Sequence, residues 1–396
     1  MSKKTPKKTP KESNLRVAIS CEPLYKKGGA EVHLRHIINT FPNCELFTAY
    51  YDEEFVKEYF SDVKINHSFM QYLPKRDKLR EVYLLLQPLA YGSFKFKGFD
   101  IVLSLSIAFS RFVKSKDIKH INLCMSPPKF LWQKSDRTLK SKEQLTGFKK
   151  FLFKIYSFFQ DTFLEDIWKK WDRESAQRCT KIIANSKVVK KRIKKFYDMD
   201  SDVIYPPVDV SGIQSIKPVN RKENWFLYMG RVETYKGVKL AIDACVGLGY
   251  PLKIAGSGAD LEAMREHVKK LNAKGLVKFL GFVSEEEKLD LLLKAKALIF
   301  PVRGEDFGIV PVEANAAGTP VIAYRDGGVT ETISEKNPKT GVFFDEYNKK
   351  SLMKVMKNFN TEDYSQENCR KQAQNFASEI FEYKLLNYVK DALHSN

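Results

Sequence analysis

Short apolar segments alternate with longer amphipathic segments along the chain, and this alternation restricts the fold more than any other feature of the sequence. The segments LRVAIS, CELFTAYY, FDIVLSLS, HINLCMS and KIIANS are apolar enough to be strands buried on both faces of a sheet. After LRVAIS come a loop with Gly28 and Gly29 and then apolar residues at helical spacing. Repeated strand, turn and helix units of this kind predict an α/β protein with parallel sheets.

The alternation starts again in the second half, where NWFLYMG, PLKIAGSG, VKFLGFV, AKALIFPV and TPVIAY are predicted strands with helical patterns between them. A chain of 396 residues is too long for one ordinary core, so we expect two doubly wound, Rossmann-like domains separated near Tyr205-Pro206-Pro207. Facing sheets of this type bind ligands in a cleft at the carboxyl ends of their strands. The expected divisions are a disordered basic tail at 1–14, an N-terminal domain at 15–208, a C-terminal domain at 209–376, and a helix at 377–396 that packs back towards the N-terminal domain.

The positive charge of the chain is concentrated in its first half. Residues 1–200 contain 40 Lys and Arg against 22 Asp and Glu, whereas residues 201–396 contain 27 against 26. Such asymmetry favours an anionic partner for the first half. The candidates are a membrane surface, a phosphorylated acceptor and nucleic acid. A generally lysine-rich proteome is the alternative interpretation. Nucleic acid is the weakest candidate, because no zinc-finger, RNP or helix-turn-helix motif is present.

Several classes of protein are disfavoured by the remaining composition. The six cysteines are scattered without a CxxC pair, and the six histidines form no metal-binding motif, so we expect no metal, no disulfide framework and no cofactor. No apolar run approaches the roughly 18 residues of a membrane helix, and the basic N-terminus is not followed by a signal-peptide core. These features predict a cytoplasmic protein that can associate peripherally with the inner face of the cell membrane.

Two carboxylates flank a predicted strand-to-helix turn in the segment PVRGEDFGIVPVEANAAGTPVIA. Glu305 precedes the helix, Glu313 lies in its early turns, and Gly308 between them allows a ligand to approach the backbone. The unpaired N–H groups of the first helical turn would stabilise a diphosphate, while the two acids would hold sugar hydroxyls and the diol of a ribose. The alternative is that Glu313 only complements the helix dipole and Glu305 is solvated.

Two cations follow an earlier strand in the segment FLYMGRVETYKGVKLAIDA. Arg231 and Lys236 leave the carboxyl end of this strand, and we expect them at the same edge of the sheet as the acidic loop. A guanidinium fork and an ammonium suit a diphosphate and would stabilise it as a leaving group. Taken alone, they are also compatible with ordinary surface residues beside a turn.

Several motifs in consecutive order resemble the retaining glycosyltransferases of family 4, which have the GT-B fold. The C-terminal half contributes GRVETYKG, IAGSG, FLGFVSEEE and the E-x7-E pattern of Glu305 and Glu313, and the N-terminal half contributes GGAEVHLRHI, SPPKFLW and VIYPPVD. Together these pieces are similar to the bacterial subgroup that includes O-antigen and capsule mannosyltransferases. The resemblance spans about residues 15–345.

The resemblance implies an enzyme that transfers a hexose-like group from a nucleotide sugar, GDP-mannose-like by preference, to a glycan or lipid-diphosphate acceptor with retention at the anomeric carbon. It needs no metal, and the nucleotide sugar is a substrate. Catalytic roles are implied for Arg231, Lys236 and Glu305. Sugar-donor binding is implied for Gly28, Gly29, Gly230, Val283, Phe307, Gly308, Ile309, Val310 and Glu313.

The chain departs from the family pattern at the sugar end of the site. Ile107 in LSIAFS and Met125 in CMSPPKF stand where a histidine is common, and His120 begins a predicted strand. One hypothesis is an active enzyme with a different donor sugar, because Ile107 suits a deoxy carbon better than a hydroxyl. The other is a weakened relative that binds a nucleotide sugar as an adaptor without transferring it.

The acceptor is expected to meet the basic N-terminal half. The segment GFKKFLFKIYSFFQDTFLEDIWKKW places apolar residues at helical spacing from Phe148 to Trp171, with lysines at both ends. It is compatible with a helix on the surface of an anionic membrane, although a buried helix of the domain is the favoured interpretation. A nucleotide-sugar epimerase shares the architecture, although the sugar-side motifs resemble those of transferases.

Overall fold

The computed structural model describes residues 15–74, 83–115, 117–133, 164–220 and 222–394. The predicted tail at 1–14 and most of the predicted helix between Phe148 and Trp171 lie outside the described residues. The chain divides into two compact units. Unit 1 contains the chain up to Tyr205 together with the residues from Phe381 onwards, and unit 2 runs from Pro206 to Ile380.

Unit 1 is an alternation of strands and helices around one sheet. Its described strands are β1 Val17–Cys21, β2 Cys44–Thr48, β3 Lys64–His67, β4 Ile101–Ser106, β5 His120–Cys124, β6 Lys181–Ala184 and β7 Asp202–Val203. Its described α-helices before the boundary are α1 Gly29–Thr40, α2 Glu53–Tyr59, α3 Gln87–Gly92, α4 Lys129–Trp132, α5 Leu164–Gln177 and α6 Lys187–Tyr197. Short 3-10 helices lie at Phe69–Tyr72, Leu84–Leu86 and Ser110–Phe112.

Unit 2 repeats the same plan. Its described strands are β8 Phe226–Met229, β9 Leu252–Ala255, β10 Val277–Gly281, β11 Ala297–Phe300, β12 Val321–Tyr324 and β13 Gly341–Phe344. Its described α-helices are α7 Val210–Gln214, α8 Val238–Leu248, α9 Leu261–Lys270, α10 Glu285–Lys294, α11 Ile309–Ala316, α12 Val329–Thr332, α13 Lys349–Lys357 and α14 Gln366–Ala373. Short 3-10 helices lie at Thr234–Lys236, Thr361–Asp363 and Gln374–Phe376.

Both sheets are parallel and reverse their strand order at the middle. Among the described strands the first sheet has the order β3-β2-β1-β4-β5-β6-β7 and the second has β10-β9-β8-β11-β12-β13. The direction in which strands are added changes between β1 and β4 and between β8 and β11. The prediction of an α/β protein with two parallel, doubly wound sheets is confirmed.

The strands are apolar because helices cover both faces of each sheet. Val17 and Ile19 in β1 are fully buried, and Ile19 pairs with Leu46 of β2 and Leu103 of β4. In unit 2, Ile254 of β9 and Ile299 of β11 are buried in the same way. Burial on both faces explains why these strands appear in the sequence as continuous apolar runs.

The last helix, α15 Ser378–His394, carries the chain from the end of unit 2 into unit 1. Phe381, Leu385 and Val389 are buried in the same core as β1 and β4. At the surface of that core His36 of α1 approaches Glu382, with 2.8 Å between the ring nitrogen Nδ1 and Oε1. The final helix in the sequence therefore completes the core of the unit in which the chain starts.

Candidate functional site

The candidate residues of unit 2 lie at the point where the strand order of its sheet reverses. Lys236 follows β8 and Glu305 follows β11, and these two strands are parallel neighbours. In doubly wound sheets, loops at the carboxyl ends of such strands diverge and leave a crevice for a ligand. The topology therefore places both residues where a ligand site is expected.

Lys236 and Glu305 form a direct ion pair. The distance between Lys236 Nζ and Glu305 Oε2 is 2.6 Å, and the two side chains are 20% and 22% exposed. Gly237, the next residue, has a left-handed φ of 75°. A Cβ atom there would lie 2.2 Å from the carbonyl oxygen of Pro301. The loops after β8 and β11 can therefore bring the cation and the carboxylate together only because residue 237 has no side chain.

Arg231 lies in the same loop and is held by two neighbours of its own. Its guanidinium donates to the hydroxyl of Tyr235 and lies 3.4 Å from Glu233 Oε1. Both cations lie near the Tyr235 ring, whose centroid is 5.7 Å from Arg231 Cζ and 5.4 Å from Lys236 Nζ. Arg231 is 56% exposed, so its guanidinium stays accessible to an anionic ligand.

Glycines allow the loops after β8, β9 and β10 to pack backbone against backbone. Gly230 donates its N–H to the carbonyl of Ala255 at 3.0 Å, and Gly256 donates to that of Gly281 at 2.7 Å. A Cβ on Gly256 would lie 2.0 Å from the Gly230 carbonyl oxygen, and one on Gly258 would lie 2.4 Å from that of Val232. This explains the Gly-x-Gly of the IAGSG segment.

The acidic loop is fixed by the chain that follows β12. The N–H of Gly328 donates to the Glu305 carbonyl at 2.8 Å, and the N–H of Gly304 donates to Asp326 Oδ2 at 2.8 Å. Phe307 is buried with its ring edge against Phe376 at a centroid distance of 5.5 Å. These contacts fix the backbone of the Glu305 loop independently of a ligand.

Helix α11 begins directly after this loop. Gly308 precedes it with a left-handed φ of 98°, and Ile309 and Val310 form its first turn. The N–H groups of such a turn have no helical partner and carry partial positive charge. Their charge is suitable for a phosphate oxygen.

Glu313 projects from the second turn of α11 and is paired with Lys288 of α10. The distance from Lys288 Nζ to Glu313 Oε1 is 3.1 Å, and the Glu313 side chain is 15% exposed. Burial raises the pKa of Glu313, and the charge of Lys288 opposes this rise. Lys288 was not predicted as a site residue. Its only sequence signal is a Glu285-to-Lys288 spacing that is also typical of a solvated helix.

Val283 lies between the end of β10 and the start of α10. Gly281 ends the strand with a left-handed φ of 73°, and Ser284 caps α10 in a capping box with Glu287. Between them Phe282 is 87% exposed. The backbone of Val283 is thus presented in a short, well-defined turn that leads into the helix carrying Lys288.

The remaining predicted residues belong to unit 1. Gly28 precedes α1, and Gly29 is its first residue. Ile107 follows β4 and is 43% exposed, and its N–H donates to Glu22 Oε1 at 3.2 Å. Met125 follows β5 and is partly buried. His120 begins β5 and is buried, with its Nε2 2.7 Å from the hydroxyl oxygen of Ser104.

The structure thus brings Lys236 and Glu305 into contact. Arg231 instead contacts Glu233 and Tyr235 of its own loop, and Glu313 pairs with Lys288. Among the described residues no three His, Cys, Asp or Glu side chains gather as a metal ion would require. In the same part of the chain no helix is long and apolar enough to cross a membrane. All six cysteines are buried, and none of them forms a disulfide.

Comparison with known proteins finds similarity over part of the chain. Residues 212–376 match the family described as Glycosyl transferases group 1. The chain is 38% identical to glycogen synthase of Mycobacterium tuberculosis over 29% of each chain. It is 34% identical to the O-antigen chain mannosyltransferase RfbU of Salmonella typhimurium, over 42% of this chain and 48% of that protein. The chain thus matches less than half the length of these curated relatives.

A solved structure extends the similarity of fold to nearly the whole chain. HepE from Anabaena, crystallised in complex with UDP, superposes with a TM-score of 0.66 over 95% of this chain and 100% of HepE, at 15% identity. An identity this low supports the fold alone. The solved structures that are similar to this chain have folds of the GT-B type. Residues 212–376 are therefore similar to the Glycosyl transferases group 1, and the fold of the chain is of the GT-B type.

Proposed function

We propose that this chain is a retaining glycosyltransferase of family 4 that moves a sugar from a nucleotide-diphosphate sugar to a glycan or lipid-linked acceptor during synthesis of a cell-surface polysaccharide. The observation that carries the proposal is the contact of 2.6 Å between Lys236 and Glu305 at the carboxyl ends of β8 and β11. A cation and a carboxylate side by side at a switch point suit a ligand with an anionic part and a hydroxyl-rich part.

The diphosphate would bind Lys236, Arg231 and the first N–H groups of α11. Lys236 has three N–H bonds, so it can keep Glu305 as one partner and donate the others to phosphate oxygens. As the bond between sugar and phosphate breaks, negative charge grows on the leaving diphosphate. Cations held in place before the reaction stabilise that charge without having to reorganise.

The two carboxylates would hold the ligand at its two ends. Glu305, close to Lys236, would accept hydroxyls of the transferred sugar, and Glu313 would accept the hydroxyls of the ribose. The base would lie against the backbone of Val283.

Retention is proposed to occur on one face of the sugar. Glu305 is paired with Lys236 and is assigned to sugar hydroxyls, so no carboxylate of the group is assigned as a nucleophile. The leaving phosphate would take the proton of the acceptor while the sugar is cation-like. The protein would then contribute orientation and charge stabilisation.

A GDP-mannose-like donor is favoured, because RfbU is named as a mannosyltransferase and is among the relatives. The HepE complex contains UDP, so both bases belong in the test. The decisive experiment is a thermal-shift panel of GDP- and UDP-sugars. It is followed by NMR of the glycosylated product, in which the anomeric configuration of the donor should persist. An inverted product would contradict the retaining mechanism.

The acceptor is proposed to lie on an anionic membrane that unit 1 touches from the cytoplasmic side. Helix α6 supports this, because it carries six cations in 11 residues, and Trp171 on the neighbouring α5 is 47% exposed. Basic and aromatic side chains together suit an anionic interface. Sedimentation with vesicles of anionic lipid tests the idea, and binding that does not weaken with added salt would reject it.

The second candidate is a nucleotide-sugar-binding adaptor without transferase activity. It is favoured by Ile107, which is exposed where the family commonly has a histidine. An enzyme should hydrolyse its sugar donor slowly in the absence of acceptor, whereas an adaptor should bind it and leave it intact.

A further inference from the structure

Lys288 is a cation of the site to which neither the motifs nor the proposed reaction give a role. Its ammonium lies 3.1 Å from Glu313 Oε1 and 2.5 Å from Glu285 Oε2. Glu285 is 73% exposed, whereas Lys288 and Glu313 are 22% and 15% exposed. The contact with Glu313 is therefore the partly buried one, in which water screens the charges least.

The charges around Glu313 leave it dependent on this lysine. Glu285 on α10 and Asp209, the residue before α7, are like charges that raise the pKa of the Glu313 carboxyl in addition to burial. On α14, which also packs against α11, Arg370 is occupied by the backbone carbonyls of Gln214 and Ile216. Lys288 is the group that lowers the pKa of Glu313 both by charge and by hydrogen bonding.

The protonation state of Glu313 determines what it can bind. An ionised carboxylate only accepts hydrogen bonds, so with Lys288 on Oε1 it can still accept two vicinal hydroxyls. A protonated carboxyl must donate one hydrogen bond and loses an acceptor position. A ribose diol, which offers two O–H donors, therefore distinguishes the two states.

We propose that Lys288 is a positioning residue for the nucleotide, which keeps Glu313 ionised and oriented so that it accepts both ribose hydroxyls. This rests on the proposed function, since it presumes that a nucleoside diphosphate binds unit 2. It assigns selection of ribose over deoxyribose to a pair of residues on two helices.

The test measures binding of GDP and UDP, and of their 2′,3′-dideoxy forms, by calorimetry between pH 6 and 8.5 in the full chain. Lys288→Met removes the charge and keeps an unbranched stem, and Lys288→Arg keeps the charge. Lys294→Met is the matched control, because Lys294 lies on the same helix and pairs with Asp290 at 2.6 Å on the surface.

Lys288→Met should weaken ribonucleotide binding by at least about tenfold, as loss of a charged hydrogen bond implies. The loss should grow as the pH falls, and dideoxy binding should change little. Lys288→Arg and Lys294→Met should resemble the unmodified protein. This inference is overturned, while the proposed function stands, if Lys288→Met weakens binding of the ribo and dideoxy nucleotides equally. The same holds if Lys288→Met weakens the binding of neither. If the unmodified protein binds no nucleoside diphosphate, both are overturned.

Discussion

At the scale of single residues, Lys236 has to balance one anion in the free protein and a second one in the proposed complex. Its ammonium is 2.6 Å from Glu305 and 5.4 Å from the centre of the Tyr235 ring. Both contacts limit where the charge can lie. A lysine restrained in this way is positioned before the ligand arrives, which reduces the entropy lost on binding.

Lys236→Met should therefore reduce the rate of transfer by about 100-fold or more, in the range expected for loss of one preorganised group that stabilises developing charge. The measurement is turnover of the nucleotide sugar identified by the thermal-shift panel. Lys239→Met is the control, because Lys239 lies three residues further on and pairs with Asp243 at 2.6 Å while 49% exposed. Equal rates for the two variants would remove Lys236 from the mechanism.

A second residue-scale feature is the buried ion pair of unit 1. Arg111 and Asp172 are 0% and 1% exposed, and the guanidinium also donates to the Tyr197 hydroxyl at 2.7 Å. Trp132 donates its ring N–H to Asp172 Oδ2 at 2.7 Å. Trp132 and Asp172 thus join the end of α4 to α5, although 134–163 separate them in the chain.

Asp172→Asn should lower the free energy of unfolding by about 3–5 kcal/mol, because it leaves Arg111 buried without a counter-charge. Urea denaturation followed by tryptophan fluorescence measures the change. Asp198→Asn breaks an exposed pair with Lys194 in the same unit and should leave the midpoint nearly unchanged. Similar urea midpoints for both variants would show that burial of an ion pair does not determine how much it contributes to stability.

At the scale of elements, backbone contacts between loops bring the site residues together. Helix α8 starts at Val238, immediately after Gly237, and a Cβ at 237 would collide with Pro301 and lie 2.8 Å from the Tyr347 hydroxyl. The other end of the same helix has Gly249 with φ 67° and nothing within 4 Å of a Cβ. One helix thus provides a crowded glycine and an uncrowded one in similar conformations.

Gly249→Ala should cost about 1 kcal/mol of unfolding free energy, the cost of a left-handed residue with a side chain. Gly237→Ala should cost clearly more, because the collision must separate the loops after β8 and β11. It should also weaken nucleotide binding. Urea midpoints and calorimetry of the two variants provide the comparison, and equal losses for both would rule out a role for the close contact.

The sequence predicted ten of the described strands, because most of these strands are apolar runs buried on both faces, as in Val17–Cys21 and Phe226–Met229. It did not predict β3, β7 or β13. β3 includes Lys64 and His67 at the sheet edge, where burial is incomplete, and β7 has only two residues. Periodicity reports burial, so it fails where a strand is short, as β7 is, or partly exposed, as β3 is. Neither reason applies to β13, which has four mostly buried residues.

The sequence likewise indicated only some of the residues of the candidate site. Lys236 and Glu305 carry opposite charges and follow β8 and β11. These two strands are neighbours in the sheet, because the strand order reverses between β8 and β11. Lys288 could not be predicted, because its importance comes from the packing of α10 against α11. Such a contact joins residues 25 apart in sequence and leaves no periodic signal.

At the scale of the whole molecule, two buried histidines make unit 1 sensitive to acid. Burial lowers the pKa of both His33 and His120 to about 3. In the unfolded chain they would bind a proton near pH 6.5. The folded state therefore binds fewer protons, and its stability falls as the pH drops from about 6.5 towards 3, by about 1.4 kcal/mol per pH unit for each histidine.

His33→Leu should reduce the slope of this loss between pH 6.5 and 5, since His33 has no hydrogen-bond partner and packs edge-on to Phe381 at 4.7 Å. Urea midpoints across this range provide the slope. Tryptophan fluorescence reports mainly on unit 1, which holds three of the four tryptophans. His67→Gln, at a partly exposed histidine of the same unit, should keep the original slope. An unchanged slope for His33→Leu would contradict the assignment.

The return of α15 into unit 1 has a consequence for synthesis on the ribosome. Unit 1 begins first, but three of its core residues, Phe381, Leu385 and Val389, are translated after all of unit 2. The nascent chain can therefore finish the later unit while the core residues of the earlier unit still lack their contacts with α15. Domains usually fold in the order of their translation, whereas here the half that emerges first is completed last.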